Sequence, residues 1–161
     1  MKLLLSLLLW INFTGTPDLA SIRKMYTTAP KSEASAKDFA AKLSDISASD
    51  EKILVAYKAA SILLDSKFEK KLSQKMERFK EGAKLLESTI ASEPNNIEIR
   101  MIRLSIQENV PGITGYRKNI KEDIKYITAH YSEQNAALKG YLKDFVLQSK
   151  SFSKKEKQFV Q

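Results

Sequence analysis

Arg100, Arg103 and Gln107 stand in a run whose interior is mostly apolar, IEIRMIRLSIQEN. At about 100° per residue of helix they fall on one narrow face. Asn109 and Tyr116 flank the Pro-Gly turn that follows. Planar guanidinium groups this close present paired donors to a carboxylate or another flat anion. Two roles are open. Arg100, Arg103, Gln107, Asn109 and Tyr116 form a candidate binding set for a small anion or for a partner's carboxylate. Alternatively, the arginines grip Glu122 or Asp123 and fix one helix against the next, because guanidiniums on a mostly buried helix need partners inside the fold.

Other chemistry is thinly represented. Glu122 and Asp123 are adjacent, so on a helix they point about 100° apart and do not converge on a cation. His130 is the single histidine, and cysteine is absent. That excludes a site with several histidine ligands, a thiol nucleophile and a zinc-cysteine centre. His130 falls near the end of a predicted helix, where a cation-compatible side chain suits the dipole. Gly112-Ile113-Thr114-Gly115 lacks the lysine of a phosphate loop and the strand that should precede it. Neither a Gly-x-Ser-x-Gly elbow nor a His-Glu-x-x-His pair occurs. Acid pairs for sugar chemistry stay open on spacing alone. No catalytic residue, metal or cofactor is assigned, and the expectation is a non-enzyme.

The elements that must position the arginines are helices. The 161 residues include only 5 Gly and 4 Pro, too few for the many tight turns of a β-rich chain. Leu19, Ile22, Tyr26 and Ala29 repeat at helical spacing, and Ala36, Phe39, Leu43 and Ile46 continue the phase. The pattern predicts one long helix from Pro17 or Asp18, kinked or interrupted at Pro30. Ile53 to Leu64 forms a second helix, followed by a lysine-rich, less periodic stretch over 66–75. Met76, Phe79, Ala83, Leu86 and Ile90 predict a third helix ending at Pro94. The arginine run is the fourth. Ile97-Glu98-Ile99-Arg100-Met101 alternates like a strand, but Met101-Ile102 breaks the alternation. Only Glu98 sits badly on the helix, and a carboxylate in a first turn is favoured there. Asn95 with Glu98 resembles a capping box. Tyr116, Ile120, Ile124, Ile127 and Tyr131 predict a fifth helix, and Leu138 to Val146 a sixth. Ser153 and Glu156 predict a capped short final helix carrying Phe159 and Val160.

The first residues carry an address. Lys2 precedes an apolar run, Leu3 to Ile11, and Thr14-Gly15-Thr16-Pro17 follows. This is the layout of a secretory signal peptide over residues 1–16, leaving a single helical domain over 17–161. The expected location is periplasmic or secreted, with no membrane span in the mature chain. The formal charge is +8, which fits a lysine-rich solvated surface and also suits anionic partners. From 67 to 84 there are seven basic and three acidic residues. Over the whole chain the charges interleave on several helices, unlike a dedicated nucleic-acid helix. An anionic envelope surface stays open as a partner; nucleic acid does not fit an exported chain.

The stretch 79–96, FKEGAKLLESTIASEPNN, resembles the second helix and closing turn of a tetratricopeptide repeat. Gly82, Leu86 and Thr89 stand at its small, bulky and small positions, before the acid-Pro-Asn-Asn turn. Arg100, Arg103 and Leu104 replace the residues that a following repeat wants, and no second copy appears about 34 residues away. The whole chain is similar to small exported helical proteins of Bacteroidetes-type bacteria. The repeat-like segment implies helical hairpins and a protein-binding scaffold, and the whole-chain resemblance implies an exported address, not an activity. The expectation is therefore all-α, with six or seven helices in successive antiparallel hairpins, either degenerate repeats or an irregular bundle. Its function is an exported, non-catalytic interaction or scaffold protein. A small-ligand or anion-binding envelope protein using the arginine stripe is the alternative.

Overall fold

A computed structural model describes residues 17–161. The leader-like segment, residues 1–16, lies outside the described residues. The rest is all-helical: α1 (Leu19–Thr28), α2 (Glu33–Lys42), α3 (Lys52–Phe68), α4 (Leu72–Ser92), α5 (Ile97–Asn109), α6 (Ile120–His130) and α7 (Ala136–Gln148), with short 3₁₀ turns between and after them. No strand occurs among the described residues.

Local chemistry sets most boundaries. Asp18 caps α1 by accepting from the Ser21 amide at 2.9 Å, as the sequence predicts. The first predicted helix is interrupted, not merely kinked. Pro30 sits in a 3₁₀ turn, Ala29–Lys31, and Ser32 opens α2 with a new cap on the Ser35 amide. Leu43 and Ile46 fall beyond α2, yet both stay buried. Lys58 reaches back from α3 to the carbonyls of Ser44 (2.9 Å) and Ile46, satisfying acceptors in the turn that follows α2.

The lysine-rich stretch is mostly helix. α3 runs to Phe68 and α4 starts at Leu72, so three residues join them into a tight antiparallel hairpin. Periodicity fades there because that part of α4 is exposed nearly all round. Its Lys, Gln and Glu residues carry the helix by propensity. Lower down, Ala59 and Ala60 of α3 are fully buried. Gly82 of α4 lies so close that a Cβ on it would meet Ala59 O at 2.9 Å.

α5 is the central wall, with ten of its thirteen residues buried. Asn96, not Asn95, is its cap: the Asn96 carboxamide accepts from the amides of Glu98 and Ile99. α3 and α6 pack along it, and α1, α2 and α3 close one side through the ring cluster Tyr26, Phe39 and Tyr57, at centroid distances of 5.4–6.3 Å. On the other side α6 begins at Ile120. Tyr116, predicted as the start of that helix, lies in the preceding turn, where Gly115 adopts a left-handed φ of 68° that a side chain disfavours. The Ser153–Glu156 capping box forms as predicted, with Ser153 N to Glu156 Oε2 at 2.8 Å and Glu156 N to Ser153 Oγ at 3.2 Å. It opens a 3₁₀ segment whose Phe159 packs on Tyr131.

Candidate functional site

The arginine stripe faces α6 and α4. Arg103 takes Asp123 in a parallel fork, Nε to Oδ2 at 2.7 Å and Nη2 to Oδ1 at 2.6 Å. Its third nitrogen donates to Glu87 of α4 at 3.1 Å. Arg100 donates to Glu122 at 2.8 Å, to Asp123 at 3.1 Å and to the Pro94 carbonyl at 2.6 Å. Its guanidinium lies 4.3 Å from the Tyr126 ring centroid, a cation–π contact. Asp123 is fully buried. Burial pushes its carboxyl up, and the guanidiniums of Arg103 and Arg100 pull against that. Desolvation opposes the charge on Arg103, but the bonds to Asp123 and Glu87 more than offset it, so its pKa is raised. Hydrogen bonds from Arg100 and Asn119 hold Glu122 below the usual carboxylate range.

Tyr116 joins this group through Glu87, donating to its Oε1 at 2.7 Å. Glu87 therefore bridges the phenol and Arg103. Gln107 is fully buried beside them; its amide reaches Asn119 at 3.4 Å and its Oε1 has no partner. Asn109 does not join. It bonds the Ser105 carbonyl and faces Lys150 on the far side of α5. The helix wheel explains this, because Asn109 is about 180° from Arg100. So four of the five candidates converge, and both guanidiniums are occupied by acids of this chain.

A second polar seam runs down the opposite face of α5, and sequence reasoning missed it. Glu98, tolerated above as a first-turn acid, is buried. It accepts from Arg23 of α1 through both oxygens, and from the Tyr57 hydroxyl at 2.6 Å. The Tyr141 hydroxyl lies 3.2 Å from that of Tyr57, and Arg23 sits over the Tyr141 ring. Two turns on, Ser105 bonds Tyr26. Glu108 accepts from Ser149 Oγ at 2.5 Å, tying α7 to the wall. The only signal in the sequence was the poor fit of Glu98 to an apolar face. His130, at the end of α6, stacks on Tyr126 and contacts Glu133 at 2.9 Å.

Two open depressions lie on the surface, and the arginine stripe lines neither. One is an open groove of about 580 Å³ over Lys121, Ile124, Lys125, Thr128, Ala129 and Glu156. The other, about 350 Å³, lies over Asn95, Ile97, Glu98 and Leu138, where Glu98 is already triply bonded. Among the described residues no cluster of acids and His could hold a metal, and no helix is long and apolar enough to cross a membrane. The polar seams brace helices; they do not converge on an open cavity. The chain matches no family model, no curated protein and no solved structure.

Proposed function

We propose that this chain is an exported, non-catalytic helical interaction protein. The observation that carries the reading is an uncovered apolar line on α4. Leu72 and Met76 continue the stripe that farther along holds Phe79 and Ile90, yet they are 74% and 39% exposed. A helix that keeps its core pattern beyond the core offers that pattern to something else. The repeat-like pattern of 79–96, seated on the α3–α4 hairpin, supports the same reading. An anion reading of the arginine stripe would require Glu122 and Asp123 to release Arg100 and Arg103, so it takes second place. Export rests on Lys2, the apolar run Leu3 to Ile11 and the turn residues after it.

The test expresses the full chain in a Gram-negative host. N-terminal sequencing of the periplasmic form is expected to begin near Pro17; an intact Met1 retires the export half. The parent is expected to sediment with the cell-envelope fraction, and the Leu72→Glu/Met76→Glu chain to lose that association at unchanged Tm. Equal sedimentation of the two chains, or none by the parent, retires the interaction half.

A further inference from the structure

We infer that the α4 line, with the α5–α6 turn beside it, docks on an anionic lipid surface. The inference rests on the interaction reading and names its partner. Leu72, Met76 and Phe79 fall within about 60° on the helix wheel, so they make one stripe. Ile113, 97% exposed, stands on the neighbouring turn. That turn is fastened to the same helix: the Tyr116 ring meets Phe79 edge-on at 5.7 Å, and its hydroxyl holds Glu87. Two apolar tips therefore project from one braced unit.

The charge around them is cationic. Lys75 and Lys80 flank the stripe, each within about 80° of it, whereas Glu77 and Glu81 lie about 140–180° away. Glu81 is also spent on Arg78, at 3.3 Å. Arg117 and Lys118 are exposed on the turn. Lysine stems lie along apolar surface while their ammonium groups reach for phosphate. A compact ammonium suits a diffuse array of headgroups better than the fixed geometry of a partner's carboxylate. A peptide or helix partner would want a groove, and neither depression described above includes these residues. The uncovered stretch is short, so the association is reversible and weakens with salt.

The absence of cysteine makes the test local. Met76→Cys, Ile113→Cys and Glu77→Cys full-length chains each carry one environment-sensitive dye. They are mixed with vesicles of equimolar phosphatidylcholine and phosphatidylglycerol, or of phosphatidylcholine alone. Dyes at 76 and 113 are expected to shift blue on the anionic vesicles only, and the dye at 77 to stay solvent-like. Adding Lys75→Gln and Lys80→Gln is expected to weaken partitioning roughly fivefold per lysine. Dyes at 76 and 113 that remain solvent-like on anionic vesicles, or that shift equally on neutral ones, overturn the inference. If the envelope association is nonetheless lost in Leu72→Glu/Met76→Glu, the partner is a protein; the interaction reading then survives and the lipid does not.

Discussion

Arg23 and Glu98, 75 residues apart in the chain, meet as a two-pronged ion pair, with bonds of 2.7 and 2.6 Å. With Tyr57 as a third donor at 2.6 Å, the pair ties α1 and α3 to the central helix. Removing Glu98 leaves a guanidinium and a buried phenol without their acceptor. Glu98→Ala is expected to cost about 3 kcal/mol in urea unfolding. Arg23→Met/Glu98→Leu, which removes both charges together, is expected to recover most of that loss. A double variant as unstable as Glu98→Ala would show that the cost comes from packing and not from the stranded charge.

The Arg103–Asp123 fork holds α5 against α6. Arg103→Ala or Asp123→Asn is expected to cost about 3–5 kcal/mol each, because each strands a buried partner. The double variant is expected to lose less than the sum, with a coupling of about 1–3 kcal/mol. Additive losses in a double-mutant cycle would sink the clamp. A folded Arg103→Ala chain that keeps its stability but drops out of the envelope fraction would return the stripe to a binding role.

Much of this arrangement was legible in sequence, for identifiable reasons. Helical spacing exposed α5 as a wall with Arg100, Arg103 and Gln107 on one face, and Glu122 and Asp123 stood out as acids that could meet them, although Glu87, which also takes Arg103, did not. Interruption at Pro30 and the Ser153 cap follow from backbone chemistry within a few residues. What could not be read were partners set by tertiary placement. Nothing local links Arg23 to Glu98, or Tyr116 to Glu87. Tyr116 fits the spacing of α6 but is held in a turn by the left-handed Gly115 and by its ring contact with Phe79. Asn109 follows the stripe in the chain but lies across the helix from it. At the solvent-exposed start of α4 only Leu72 and Met76 carry the helical period among mostly exposed polar residues, too few positions to reveal the helix before residue 76.

Gly82 and Gly140 make a contrasting pair. A Cβ at Gly82 would lie 2.7 Å from Leu63 Cγ, 2.9 Å from Ala59 O and 3.0 Å from Leu63 N. Two of those atoms are backbone and cannot swing away, so α3 and α4 must part. Gly82→Ala is expected to destabilise by about 1–3 kcal/mol, beyond the roughly 1 kcal/mol that alanine contributes in a helix. At Gly140, inside α7, an added Cβ meets nothing within 4 Å, so Gly140→Ala is expected to stabilise by about 0.5–1 kcal/mol. Thermal unfolding of the two variants side by side checks both signs. A stabilising Gly82→Ala would mean that the helices are not in this close contact.

Tyr26, Tyr57, Tyr116 and Tyr141 predict an alkaline limit to the fold. Burial raises the pKa of all four phenols. Tyr141 is pushed up to about 12, and Tyr57 stands well above its ordinary value beside Glu98. A phenol whose folded pKa exceeds its unfolded value of about 10 favours the folded state fully below pH ~10. That stability is lost as pH rises from there toward and through 12, because the unfolded chain releases the protons first. Stability is therefore expected to be insensitive to these groups at neutral pH and to fall steeply above pH ~10. Phenolate absorbance from the buried tyrosines is expected to appear together with the loss of far-ultraviolet dichroism. Tyr141→Phe, which removes one of the raised phenols, is expected to flatten the decline. Phenolate absorbance that reaches its full six-tyrosine value while the helical dichroism stays intact would show that these hydroxyls are open to solvent, and would undo the buried Tyr57–Glu98 seam with them.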